Sequence, residues 1–291
     1  MQVAKSSWHA EESALRVHTL PRWGETRIDK IKKSHVEAWI AQMVNAGHSP
    51  SLIHRAHGTL RRVLDLAIND EKLARNPAQG VSLPRKQRKA QNILTHAQVE
   101  LLASEASYDD LVRFLAYTGL RYSEAIGLKV GKVDLKTRRI SVEEVRVWAG
   151  GKLAIKEPKT YQKRSVVFPE FLDEAMAKAV AGKNKDDLVW CKPDGTTLGK
   201  VESTQSWFAG ARKRAQQQDP TFPRPTVHDL RHTAAALAIS AGANVKLVQT
   251  MLGHESASMT LDTYAGLFPD DQESVAERLT AHREEALRHK I

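Results

Sequence analysis

Cysteine is almost missing from this chain: Cys191 is the only one in 291 residues. A lone thiol closes no internal disulfide and builds no Cys-type zinc site, so neither organises this fold, and a reducing compartment is expected. Long apolar runs are missing too. No stretch approaches the roughly 20 apolar residues of a membrane helix, and the opening MQVAKSSWHAEES lacks the apolar core of a secretion signal. These absences predict a cytoplasmic protein with no membrane partner. Acids are in deficit, with 34 Asp and Glu against 44 Lys and Arg, a formal net charge of +10 that favours a polyanionic partner. The excess is uneven: PRKQRKAQNIL, Pro84 to Leu94, holds Arg85, Lys86, Arg88 and Lys89 and no acid. That segment reads equally as a solvated linker or as a strap lying on phosphates.

What is present suits two domains. Ser34 to Gly47 opens with a Ser-x-x-Glu capping box and closes on glycine, which predicts a helix. Ser49-Pro50 starts a second, with Ile53, Ala56, Leu60, Val63, Leu64 and Ala67 as its apolar stripe and Arg55, Gly58 and Arg62 opposite. Arg55 and Arg62 are therefore candidates for a phosphate backbone, although a plain solvated face is the simpler reading of either one. Asn76-Pro77 and Gly80 end a small helical domain, residues 1–83, followed by a basic linker, 84–94. A second domain, 95–267, begins at the Thr95 to Gln98 capping box and the buried helical pattern of Tyr108 to Tyr117. Arg139 to Val147, Lys152 to Ile155 and Ser165 to Phe168 are β-prone and predict a three-stranded antiparallel sheet. Pro169 to Val180, Glu202 to Gln218, Val227 to Ala241 and Val245 to Leu252 read as helices. Pro269 to Leu287 reads as a tail helix within 268–291.

Several short motifs could carry chemistry. TGLRYSE puts Arg121 beside Glu124 three residues on, a spacing that suits a helix-start salt bridge as well as a functional arginine. Thr226 with Asp229 caps the helix of VHDLRHTAAALAIS, on which His228 and Arg231 share a face. A guanidinium matches two phosphate oxygens, and imidazole moves a proton near neutral pH, so the pair suits a phosphoryl group. His228 and His232, at i and i+4, have zinc-ligand spacing; Asp229, though, stands where zinc hydrolases carry glutamate and is committed to the cap. GHESASMTLDTYAGL then sets Gly253 and His254 ten residues ahead of Tyr264.

An arginine after Thr-Gly-Leu, a lysine between strands, His-x-x-Arg at a helix start, Leu-Gly-His and a tyrosine ten residues later, in this order, resemble the tyrosine recombinase (phage integrase) family. The resemblance spans the second domain, and the helical first domain is similar to the family's core-binding domain. It implies a mainly α fold with a small antiparallel sheet: a helical core-binding domain and an α+β catalytic domain in a C-shaped clamp on DNA. Tyr264 matches the nucleophile, Arg121 and Arg231 the paired arginines, and His228 and His254 the histidine positions. Glu124 is expected to orient Arg121. Lys159, in PKTYQKRSVVFP, matches the general acid, with Lys156 as alternative and Lys152 and Lys163 nearby.

The implied reaction is site-specific recombination. Tyr264 attacks a DNA phosphorus, His228 takes its proton, the arginines stabilise the charged oxygens and Lys159 protonates the leaving 5′ oxygen. A 3′-phosphotyrosine forms, and exchange proceeds through a Holliday junction with no cofactor, metal ion or ATP. Double-stranded DNA with attachment or core sites is the implied partner. A homotetramer on DNA, a monomer or weak oligomer without it, and accessory DNA-bending or directionality proteins are also implied, inside a bacterial host. The tail stripe of Val275, Leu279, His282 and Ala286 docks either on a neighbour or on its own domain. A type IB topoisomerase shares the phosphotyrosine but rejoins the original strand. An inert DNA-binding protein and a zinc hydrolase are the other rivals.

Overall fold

An apolar stripe and two helix caps account for most of the first unit. The computed structural model describes every residue except 1–10, 87–90, 150, 157–163, 202, 269–271 and 289–291. It divides into two compact units, Met1–Ala90 with Trp148–Leu153 and Gln91–Val147 with Ala154–Ile291. In the first, α1 (Lys33–Asn45) and α2 (Pro50–Asn69) pack on a helical turn through Leu15–Trp23. Ser49 caps α2 by accepting from the Leu52 N–H, and Gly47, at φ +75°, supplies the left-handed residue after α1. Ile53, Ala56, Leu60, Leu64 and Ala67 are buried as their spacing predicts. Val63 is not; it is 40% exposed, and His57 and Thr59 extend the buried face instead. His57 reaches its buried position through a 2.9 Å hydrogen bond with the Ala78 carbonyl.

The Ser34 capping box does not form. Helix α1 starts one residue earlier, after Lys32, with no side-chain cap. Ile31 and Val36, on either side of that start, are buried in the same core, so a hydrophobic staple sets the helix boundary. Glu37 pairs with Lys33 at 3.8 Å rather than reaching back to a cap.

The second unit is built from α3 (His96–Ser104), α4 (Asp109–Thr118), a single turn α5 (Tyr122–Ala125), three short strands with the outer parts of two more, whose tip Trp148–Leu153 groups with the first unit, and α6 (Asp173–Val180). They are followed by α7 (Trp207–Gln218), α8 (Val227–Ser240), α9 (Val245–Leu252), α10 (Ala257–Tyr264) and the tail helix α11 (Gln272–Arg288). Capping boxes start α3 at Thr95 and α8 at Thr226, as expected. Helix α7 starts at Trp207, five residues later than expected, because Ser206 accepts from the Ala209 N–H and fixes the boundary. Helix α8 packs along α4 around one large core that includes Phe114, Leu115, Phe168, Phe208 and Leu230.

The predicted single sheet is two. Strand β1 (Val133–Asp134), β2 (Arg139–Val142) and β5 (Arg164–Val167) form one antiparallel sheet, in which Ile140 faces Val133 and Val166. Strands β3 (Val145–Ala149) and β4 (Lys152–Lys156) form the other. The run from Arg139 breaks at Glu143 and Glu144, whose carboxylates turn to Lys132 (2.7 Å) and Arg146 (2.9 Å). Two consecutive acids held in ion pairs interrupt the alternation that one continuous strand requires.

Gly119 ends α4 at φ +67°, and a Cβ there would lie 2.8 Å from Leu252 Cδ2 and 3.0 Å from Met251 Cε. Gly119→Ala combines a left-handed backbone penalty with a clash against the fully buried Leu252, so it should cost about 3 kcal/mol. A lower urea midpoint at unchanged slope measures it; an unchanged midpoint refutes it.

Candidate active site

One buried carboxylate organises the cations of this site. Glu124 has a side chain 1% exposed, and four donors converge on it. They are the Arg121 N–H (2.8 Å), Arg121 Nη1 (2.8 Å), Arg164 Nη1 (3.0 Å) and Arg164 Nη2 (2.6 Å). Burial by itself pushes the carboxyl pKa up. The hydrogen bonds and charge of Arg164, with Arg121 behind, outweigh that and hold it at about 2. Arg164 Nε also donates to the Met251 carbonyl at 3.3 Å, tying the first strand residue after 157–163 to the end of α9.

Arg231 is held differently. Its Nη1 donates to the Gly119 carbonyl at 2.7 Å and its Nη2 to the Leu252 carbonyl at 2.5 Å. Both oxygens lie at helix C-termini, where carbonyls lack intrahelical donors and the helix dipole is negative. Among the described residues Arg231 makes no ion pair with a carboxylate. Burial, then the nearby charge of Arg121, pulls its pKa down to about 9, which leaves it protonated at neutral pH. Two guanidinium groups thus share one carboxylate while the third, Arg231, is held by backbone carbonyls, and the local surplus of positive charge suits an incoming phosphate.

Gly253 turns the chain after α9 at φ +64°, and a Cβ on it would lie 2.8 Å from Arg164 Cδ. The turn delivers His254, whose Nδ1 meets Thr260 Oγ1 at 2.9 Å. Burial, then Arg231 and the other arginines, push His254 down to about 4, so it is neutral at pH 7. His228 is lowered by burial and then by Arg231. Tyr264, at the end of α10, is 1% exposed within a cluster of Ala235, Ile239, Val248 and Leu252. Its ring lies parallel to that of His254 with centroids 6.5 Å apart, and its hydroxyl bonds to His232 Nδ1 at 2.7 Å. Burial pushes the phenol up to about 12 against the opposing pull of Arg231, so it keeps its proton at neutral pH.

Arg121, Glu124, Arg231, His254 and Tyr264 therefore converge from four separate segments, and His228 stacks edge-on against His232 at 5.0 Å. The histidine at the phenolic oxygen is His232, not His228. In the sequence His232 stands out only by its metal-ligand spacing, and Arg164 does not stand out. The i+4 spacing from His228 was the signal for the first; for the second, only its place at the start of β5 was visible. Lys159 and Lys163 lie outside the described residues, while Lys156 ends β4. Arg55, Arg62, Arg85 and Lys86 are exposed, with Arg62 paired to Glu11 at 3.1 Å; Arg88 and Lys89 lie outside the described residues. No helix among the described residues is long and apolar enough to cross a membrane.

A buried, protonated phenol beside fixed guanidinium groups is an arrangement suited to phosphoryl transfer. Comparison with known proteins makes the class specific. The profile of the phage integrase family matches residues 86–270. The integrase of Mycobacterium phage D29 is 26% identical over 275 residues, 91% of this chain and 71% of that protein. The transposase of transposon Tn916 from Enterococcus faecalis is 27% identical over 307 residues, 98% of this chain and 75% of the relative. A structure of the Tn1549 transposon integrase in complex with transposon right-end DNA superposes with a TM-score of 0.80 at 25% identity, covering 96% of this chain and 95% of that one. The chain belongs to the phage integrase family. It is a site-specific recombinase of the tyrosine type.

The Glu124 pKa makes stability depend on acidity. Between about pH 4.5 and about pH 2 the unfolded chain binds a proton at Glu124 that the folded chain refuses. Its contribution is complete above that window and lost within it, on the order of 3 kcal/mol. His254, depressed from 6.5, adds a loss at higher pH, between about 6.5 and about 4. Glu124→Gln should weaken the fold at neutral pH and remove the low-pH share alone. Urea unfolding at about pH 7 and about pH 3 checks this; parallel losses in both proteins would contradict it.

Proposed function

We propose that the chain recombines double-stranded DNA at attachment or core sites, with Tyr264 as nucleophile and Arg121, Arg231, His228, His254 and Lys159 around the scissile phosphate. The observation that carries this reading is the phenol held beside the buried Arg231, in a cluster of three guanidinium groups of which, among the described residues, only two are paired to a carboxylate. Attack adds charge to the non-bridging oxygens. Each fixed arginine stabilises it by roughly 3 kcal/mol, about a hundredfold in rate. His254 donates a hydrogen bond to the phosphate, and Lys159 protonates the departing 5′ oxygen, leaving a 3′-phosphotyrosine. The ester conserves the bond energy, so a 5′ hydroxyl from a partner strand reverses the step through a Holliday junction without ATP.

Residues 1–83 serve as a core-binding domain, 84–94 as a basic linker and 95–267 as the catalytic domain. The exposed cations Arg55, Arg62, Arg85 and Lys86, together with Arg88 and Lys89, contact phosphates. Exchange between two duplexes needs four nucleophiles, hence a homotetramer on DNA. The tail helix links protomers: its Leu279 is 65% exposed and Ala286 is exposed as well, while the side chains of Val275 and His282 lie outside the described residues. The protein works in the cytoplasm of a bacterial host, on phage or mobile-element DNA and with accessory DNA-bending or directionality proteins.

Selection of covalently captured DNA from a randomised library of nicked duplexes, in the presence of EDTA, tests the chemistry. Wild type should yield an adduct on an enriched sequence, and Tyr264→Phe none; an adduct from the variant refutes the nucleophile. On the enriched duplex, Arg121→Lys should slow adduct formation about a hundredfold, since an ammonium cannot present the same two donors. An unchanged rate removes Arg121 from the mechanism.

A further inference from the structure

We propose that His232 is the residue that accepts the proton of the Tyr264 hydroxyl during attack on phosphorus, an assignment that rests on Tyr264 being the nucleophile. The argument begins with position. His232 lies on α8 one residue beyond Arg231, so the helix that supplies the buried arginine also supplies the ring whose Nδ1 meets Tyr264 Oη at 2.7 Å. That length suits a hydrogen bond to a group about to receive the proton. The phenol needs such a group. Its hydroxyl is buried and its pKa is raised, so ionisation in place requires an acceptor at contact distance.

The other histidines are engaged elsewhere. His254 spends Nδ1 on Thr260 Oγ1, and His228 meets the His232 ring rather than the phenol. The groups that bear on His232 are His228, Asp229 and Arg231 from its own helix, Tyr264 from α10 and His254 from the turn after α9. Burial, then His228, favours its neutral form; Asp229 opposes them, and Arg231 adds to them. A neutral ring with Nδ1 bare is the form that accepts. In the step itself the Tyr264 Oη to phosphorus bond forms as the phosphorus to 5′ oxygen bond breaks. The phenolic proton passes to Nδ1, and the 5′ oxygen takes a proton from Lys159. On rejoining, each proton returns.

Single-turnover adduct formation by the full chain on the captured nicked duplex, followed between about pH 6 and about pH 10, is the test. His232→Ala should be at least about a hundredfold slower at neutral pH, and its rate should climb roughly tenfold per pH unit while wild type is level above neutrality. His232→Gln keeps a hydrogen-bond acceptor at the phenol but takes up no proton, so it should be as slow as the alanine variant with wild-type thermal stability. A wild-type rate in His232→Gln, a faster adduct in His232→Ala, or the steep pH dependence appearing in His228→Ala instead would overturn the assignment. Tyr264→Phe run beside them separates the two readings. An adduct in that variant sinks the nucleophile, whereas its loss with wild-type profiles in both His232 variants sinks only the role of His232.

Discussion

The arrangement depends on a single buried anion. Guanidinium groups repel one another, and gathering the buried Arg164 and Arg231 with the half-exposed Arg121 is unfavourable unless something of opposite charge sits among them. Glu124 is that group. It satisfies its oxygens with four donors from Arg121 and Arg164, and its acid strength records how firmly the cations hold it. Because it neutralises only part of the charge around it, the site keeps a deficit that a phosphodiester can fill. An anion strong enough to cancel all three arginines would have built a more stable fold and a poorer catalyst.

Helix ends supply the rest of the counter-charge. The carbonyls that receive Arg231 belong to Gly119 and Leu252, at the C-termini of α4 and α9, and the carbonyl of Met251 receives Arg164. Each helix ends on a glycine in the left-handed conformation, Gly119 at φ +67° and Gly253 at φ +64°. The reason is shared. A left-handed residue folds the chain away from the axis and leaves the last carbonyls open; a side chain at Gly253 would strike Arg164, and one at Gly119 would strike Leu252 and Met251. Fold and chemistry therefore meet at the same backbone atoms: the turn that ends a helix also fixes an arginine.

Burial, seconded at the histidines by the surplus of positive charge, sets the protonation pattern of the site. Burial and the arginines push His228 and His254 toward their neutral forms, and burial keeps the phenol of Tyr264 protonated. A neutral imidazole against an uncharged phenol costs little to bury, whereas a phenolate or an imidazolium there would be poorly solvated. Arrival of a phosphate changes that balance by adding the missing negative charge.

Local chemistry made much of this legible from the sequence. The caps at Ser49, Thr95 and Thr226 fix three helix starts because a side-chain oxygen and a backbone N–H three residues later settle the matter between them. The apolar stripe of α2, the turn at Gly253 and the Arg121 to Glu124 contact are likewise short-range and were readable, as was the order of the motifs. Contacts between distant segments were not. Arg164 lies 40 positions from Glu124, and His232 lies 32 from Tyr264. The start of α1 and the split of the sheet were decided by a staple into the core and by ion pairs of consecutive glutamates. The sequence alone determined which residue types were available and where the helices capped at Ser49, Thr95 and Thr226 begin. Tertiary packing alone decided which cation, which carbonyl and which histidine meet, since partners that share no local geometry are chosen only when the core closes.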